Sequence, residues 1–365
     1  MLALQAVTPA ALQARVPELD EGEARRVVAA VHREDDCLET WSAASPRWAP
    51  IRGVRRASLE AVRAVGSIPT LARLVEQKSS LDPFRKLALA GADGRAFESV
   101  RIPLERAGRF SVCVSSQVGC ALACAFCATG RMGLLRNLET WEIVEQVREV
   151  RRSLSRERGE RVHGVVFQGM GEPLANLDRV LAAIAVLTDP CAQPVDARAI
   201  TVCTSGLPTG ILRLAREAPR VRLALSIGSA IAGDRRSLMP IDDAHALDEV
   251  LEAAAVHVAA SGYAPMWALT LLDGRNDSPD HARALAALAK RFAAKTGVRP
   301  RISLIPYNAF PGDPFVRSRA HATFRDELAR AGVPSHERYS GGSDIAAACG
   351  QLRAAKPEPN ASSVR

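Results

Sequence analysis

The chain has 365 residues, 48 Lys and Arg against 40 Asp and Glu, a net charge of +8 and 47% apolar residues. It is longer than one usual core, so one large domain with a small accessory domain is expected, and the positive charge permits an anionic partner such as RNA. Eight unevenly spaced cysteines exclude a secreted disulfide framework, and Met1 to Arg15 lacks a basic stretch ahead of an apolar run, so a reduced, cytoplasmic protein is expected.

The first hundred residues differ from the rest. Thr8-Pro9 starts a helix, with Thr8 as cap and Pro9 at the first helical position; Asp20 to Glu34 is amphipathic; a Trp- and Pro-containing connection runs from Trp41 to Pro50. A further helix starts at Ser58 and is predicted to run to about Lys78. Residues 1–85 thus form a small helical accessory domain. Residues 86–109 read as a β-hairpin and linker, turning at Gly91-Ala-Asp-Gly94.

From Phe110 short apolar strands alternate with amphipathic helices. The predicted strands are Phe110 to Val114, Val162 to Gln168, Ala199 to Thr204, Val221 to Ile227, Pro265 to Leu271 and Arg301 to Pro306. The helices are Glu139 to Glu157, Leu177 to Leu187, Gly210 to Glu217, Ala246 to Ala260, Asp280 to Thr296 and Ala320 to Ala331. Six such units predict an α/β fold, a partial (β/α)6 TIM-type barrel over residues 110–353, with a doubly wound open sheet as the alternative. The longest uncharged run, Ala253 to Leu272, is interrupted by His257, Gly262 and Pro265 and reads as a helix end, a turn and a buried strand, not a membrane span. The tail, residues 354–365, has little to bury and is expected to be disordered.

In both architectures ligands gather at the carboxyl ends of the strands. The first strand leads to Cys120, Cys124 and Cys127, a CxxxCxxC spacing. Three thiolates can hold three irons of a [4Fe-4S] cube and leave the fourth open to a ligand. The alternatives are a zinc site, for which no second ligand pair lies nearby, and three buried structural cysteines. The second strand ends in Gly169-Met170-Gly171-Glu172, where glycines admit a ligand close to the backbone and Glu172 can accept from an ammonium or hydroxyl group. Later strands end in Thr204-Ser205-Gly206, Ser226-Ile227-Gly228 and Tyr307-Asn308, each offering small polar groups.

An open-site cluster beside a glycine-rich strand end resembles the radical S-adenosylmethionine (SAM) superfamily. Cys113-Val-Ser115-Ser116-Gln117-Val-Gly119-Cys120, Thr129-Gly130-Arg-Met-Gly133-Leu-Leu-Arg136-Asn137, Asn308-Ala-Phe310-Pro311-Gly312 and Gly341-Gly342-Ser-Asp344-Ile345 through Cys349-Gly350-Gln351-Leu352 resemble the RlmN/Cfr family of radical SAM RNA methyltransferases. The likeness covers about Phe97 to Leu352. It implies methylation of an adenosine ring carbon, C2 or C8, in ribosomal RNA, with transfer RNA as a further candidate. It also implies a [4Fe-4S] cluster, two SAM per turnover and an electron donor such as flavodoxin or ferredoxin. A monomer without membrane attachment is expected.

By the same resemblance Cys349 takes a methyl group from one SAM, and a radical made from a second SAM activates that methyl carbon for addition to adenine. Glu98 then accepts the ring proton, and Cys113 resolves the adduct through a transient disulfide with Cys349. SAM contacts carried over are Gly171, Glu172, Ser205, Ser226, Ile227, Gly228 and Asn308. The family commonly has histidine where Gly228 stands and serine where Cys203 stands; Cys37, Cys191 and Cys203 are given no role. RNA contacts are expected from Arg25-Arg26, Arg52 with Arg55-Arg56, Arg151-Arg152 and Arg235-Arg236. The alternative function is a radical SAM enzyme acting on a protein or small molecule, which would not need Glu98, Cys113 or Cys349.

Overall fold

The computed structural model describes residues 1–33, 50–155, 157–231 and 233–353. The predicted Trp41 to Pro50 connection falls almost wholly outside them, as do Cys37 and the predicted disordered tail. The chain opens with β1 (Leu2–Ala3), α1 (Pro9–Arg15) and α2 (Glu21–His32), followed by α3 (Arg56–Val65) and β2 (Gly66–Ser67), which pairs in parallel with β1. Thr8 caps α1, and Asp20 with Glu23 forms a capping box on α2 that satisfies two otherwise orphaned N–H groups. Leu4, Leu12, Val27, Val28 and Val62 belong to the same buried cluster as the barrel interior.

The helix predicted from Ser58 to Lys78 ends at Val65. Gly66 and Pro69 interrupt it, and Ala72–Lys78 forms β3, which pairs antiparallel with β4 (Arg85–Ala90). β4 pairs antiparallel with β5 (Ala96–Pro103), and β5 with β6 (Arg109–Cys113). The hairpin predicted between residues 86 and 109 is therefore present, but it extends the main sheet.

After β6 come β7 (Gln117–Cys120) and β8 (Gly133–Asn137), a separate antiparallel hairpin, and then α4 (Thr140–Arg152). The remaining elements are β9 (Arg161–Phe167), α5 (Leu177–Thr188), β10 (Ile200–Thr204), α6 (Pro208–Glu217), β11 (Arg222–Ser226), α7 (Asp234–Leu238), α8 (Leu247–Ser261), β12 (Met266–Leu271), α9 (Pro279–Thr296), β13 (Arg301–Pro306), α10 (His321–Arg330) and β14 (Ser335–Glu337). The sheet order is β14-β13-β12-β11-β10-β9-β6-β5-β4-β3, with β6 and β9 through β14 parallel. Six β/α units curl into a partial (β/α)6 barrel, and the strictly sequential order distinguishes it from a doubly wound sheet, whose order reverses. Burial on both faces explains apolar runs such as Val165-Val166-Phe167, while Trp267 of β12 meets Phe292 of α9 edge-on at 5.3 Å. Among the described residues no helix is long and apolar enough to cross a membrane.

Candidate active site

The carboxyl ends of the barrel strands surround a cavity of about 190 Å³. Its wall includes the predicted Cys113, Cys120, Cys124, Cys127, Gly171, Glu172, Ser205, Ser226, Gly228 and Cys349. Glu98, Ile227 and Asn308 stand outside the wall. The Ile227 side chain is fully buried in the core. Asn308 directs its amide to Pro306 O (3.1 Å), Ser340 Oγ (2.8 Å) and Cys349 O (3.3 Å), so here it braces the Cys349 loop.

The cysteine triplet is carried by the β7–β8 hairpin. Gly119 has φ +77°, and a Cβ there would overlap the Gly133 carbonyl oxygen, so glycine is what lets the two strands close. The hairpin is docked through Gln117, whose Oε1 accepts from Glu172 N (2.8 Å) and whose Nε2 donates to Asn137 (2.7 Å). Burial pushes the Cys120 thiol up to about 11 and Cys124 up to about 12, and it also raises Cys127. Three thiols brought together suit a group that supplies positive charge and draws off their protons. Among the described residues no three Cys, His, Asp or Glu side chains converge on one metal-ion position.

Glu172 is buried and accepts from Ser205 N (2.9 Å) and Leu174 N (3.0 Å), while burial raises its pKa. Its remaining lone pairs can take an ammonium group. At Gly228, φ is +71° and a Cβ would lie 2.7 Å from Met239 Sδ, so a side chain at this position would be strained and would have to displace Met239.

Cys349 sits in a loop pinned from several sides. Ala128 N donates to Gly350 O (2.8 Å), Thr129 Oγ1 to Leu352 O (2.5 Å) and Gln351 Nε2 to Ala309 O (2.8 Å). Cys113 is buried on β6 opposite Val100 of β5, and its pKa is driven upward by burial. All seven cysteines among the described residues are free thiols. Glu98 lies two residues before Val100, on the same strand face. It pairs with the buried Lys86 (Nζ to Oε1, 3.1 Å) and accepts from Arg353 N (2.8 Å); burial raises its pKa, partly offset by Lys86.

Several cavity residues carried no expected role. Cys203 lines the wall, with its thiol pushed up to about 12 by burial. Its place on β10, two residues before Ser205, was the available signal. Gln168 and Arg338 face one another (Nη1 to Oε1, 2.9 Å), and Phe84 and Tyr339 reach the cavity from distant segments that no local pattern joins.

Of the arginine clusters, Arg25, Arg55, Arg56 and Arg236 are largely exposed and paired with carboxylates. Arg55 binds Glu23 (2.7 Å), and Arg152 pairs with Glu145 (2.7 Å) and Glu149. Arg235 is buried; it holds Asp242 (2.5 Å), Ser205 O (2.6 Å) and Ile227 O (3.1 Å) and so supports the cavity wall. That position corrects its expected RNA-facing role.

Residues 114–261 match the family model described as Radical SAM superfamily. A Sorangium cellulosum protein named "Probable RNA methyltransferase" is 57% identical, covering 94% of this chain and 90% of that protein. A Gloeobacter violaceus protein named "Probable dual-specificity RNA methyltransferase RlmN" is 40% identical, covering 84% and 87%. The crystal structure of a radical SAM methyltransferase from Sphaerobacter thermophilus superposes with a TM-score of 0.84 at 33% identity, covering 97% of this chain and all of that one.

Proposed function

Because this chain belongs to the RlmN-type radical SAM RNA methyltransferases, we propose that it methylates an adenosine ring carbon, C2 or C8, in ribosomal RNA, with transfer RNA as a further substrate. The observation that carries the reading is the meeting in one cavity of the cysteine triplet, the Glu172 strand end and two further thiols, Cys113 and Cys349. A radical SAM enzyme acting on a protein or small molecule has no need of that second pair.

Cys120, Cys124 and Cys127 would hold a [4Fe-4S] cluster, which with SAM supplies a 5′-deoxyadenosyl radical. Glu172 binds the SAM ammonium group, and the ends of β10 and β11, at Ser205, Ser226 and Gly228, bound the rest of the molecule. Ile227 contributes main chain only. Cys349, as a thiolate, takes the methyl group of one SAM, which leaves as S-adenosylhomocysteine; the radical from the second SAM removes one hydrogen from that S-methyl group, leaving 5′-deoxyadenosine, and the resulting carbon radical bonds to the adenine ring. Glu98 then removes the ring proton, for which Arg353 must release its carboxylate. The radical adduct gives up one electron, and Cys113, as a thiolate, bonds to the Cys349 sulfur; the carbon leaves with the carbon–sulfur electron pair and takes up a proton to become the methyl group of the freed base, and a reductant reopens the resulting disulfide. Its operation as a cytoplasmic monomer supplied by flavodoxin or ferredoxin belongs to the same proposal.

Cys349→Ala tests this. RNA methylation is expected to vanish while iron content and SAM binding stay at wild-type levels, and methylation that persists refutes the mechanism. Cys113→Ala is expected to accumulate a covalent protein–RNA adduct on a denaturing gel; its absence removes Cys113 from the resolving role.

A further inference from the structure

Tyr339 is 71% exposed, yet it is not loose. Its hydroxyl donates to Asp82 Oδ2 (2.8 Å), the same oxygen that accepts from Gly342 N (2.9 Å). Asp82 Oδ1 in turn accepts from Phe84 N (3.1 Å), so one carboxylate ties the β3–β4 turn to the loop that leads to Cys349. The Tyr339 ring is tilted 60° to Phe84 with centroids 6.2 Å apart, and both rings line the cavity that holds Cys349. Gly341 makes this approach possible, since a Cβ there would overlap Phe84 and Asp82.

The backbone explains the ring's direction. β14 pairs with β13 through Glu337, and Arg338 N continues the ladder to Leu304 O (2.8 Å). Side chains alternate along extended chain, so Arg338 turns inward to Gln168 while Tyr339 turns to the mouth. There it borders both the cavity and an outer groove containing Arg317 and Glu337.

We propose that Tyr339 is the stacking platform that receives a purine base of the RNA strand at the mouth of the Cys349 cavity. A base methylated on a ring carbon has to leave its stack, and an aromatic ring already fixed in place replaces the lost stacking without an ordering cost. The polar end of the ring is engaged by Asp82, so what it offers the solvent side is its π-face, which every base can match. The role is positioning and needs no chemistry from the phenol. It rests on the RNA reading above.

The test compares Tyr339→Ala and Tyr339→Phe with wild type in the cluster-loaded protein. Anaerobic fluorescence anisotropy measures binding of a labelled nine-nucleotide oligoadenylate and of an abasic oligomer of the same length and charge. Wild type is expected to prefer the base-bearing oligomer. Tyr339→Ala should weaken that binding by between about fivefold and about a hundredfold, with abasic binding unchanged. Tyr339→Phe, which keeps the ring and loses the Asp82 bond, should retain the preference. Equal loss on both oligomers, or a preference that survives in Tyr339→Ala, overturns the proposal. Wild type that methylates RNA from a deletion strain yet shows no base-dependent preference overturns the stacking role and leaves the RNA reading standing. Failure to methylate that RNA removes the reading, and the proposal with it.

Discussion

Lys86→Met separates charge from packing at the ion pair beside the cavity. The side chains of Lys86 and Glu98 are 9% and 2% exposed, and Nζ also donates to Ala346 O at 3.3 Å. Methionine keeps most of the stem and removes the charge. Breaking one partner of a buried pair costs about 3–5 kcal/mol, and the lost bond to Ala346 about 1 kcal/mol. Arg353 N still donates to Glu98, which places the expected total near the lower end of that sum, about 4 kcal/mol. That is a large share of a typical 5–15 kcal/mol of stability. The sign with pH follows from the raised pKa of Glu98, which loss of Lys86 raises further. An acid with a raised folded pKa favours folding while protonated, and this contribution disappears as pH rises through the folded value. The deficit of Lys86→Met should therefore be small near pH 5 and full near pH 8, and Lys86→Met with Glu98→Gln should recover most of it. Urea unfolding of the cluster-free protein at both pH values measures this. Equal deficits at the two, or no recovery in the double variant, would refute the burial argument.

Gly119→Ala places a Cβ on the Gly133 carbonyl at a positive φ that itself costs about 1–2 kcal/mol. The β7–β8 hairpin should open, with iron bound per chain falling well below wild type; full iron loading would show that the hairpin does not set the cysteine geometry. Glu172→Ala strands the buried N–H groups of Ser205 and Leu174, each at about 1–3 kcal/mol, and removes the proposed ammonium acceptor. SAM affinity measured by equilibrium dialysis is expected to drop at least about tenfold with iron content retained. Unchanged affinity would take Glu172 out of the SAM site.

The barrel was legible because each strand is a short apolar run and each helix a longer amphipathic one, and the rule of strand carboxyl ends then pointed to Glu172, Ser205 and Ser226. What escaped had physical reasons. Residues 70–78 have a composition that a helix tolerates, but pairing with β4 outweighs local propensity. β14 is three residues long, too short to leave a periodic trace, and with it went Arg338 and Tyr339. Arg235 looked like half of a surface pair until α7 folded it onto Asp242 and Ser205. The Lys86–Glu98 contact exists only through register: Lys86 faces Val100 and Ala88 faces Glu98, which makes the pair diagonal neighbours on one face.

The sequential strand order bears on how the cavity comes into being. Its floor is built from β6, β9, β10 and β11, adjacent in the main sheet, and the cluster loop lies on the β7–β8 hairpin between β6 and β9 in the chain. The loop bearing Cys349 is held otherwise: besides Asn308 and Ala309, it reaches back to Glu98, Thr129 and Asp82 across more than 200 residues, through individual hydrogen bonds and not a strand ladder. Contacts of that sequence separation carry the largest closure entropy and few bonds to offset it. Held by single hydrogen bonds, the thiol loop is expected to open at a lower free energy than the barrel strands, so a partly opened molecule would keep the barrel wall while losing the proposed methyl carrier, Cys349.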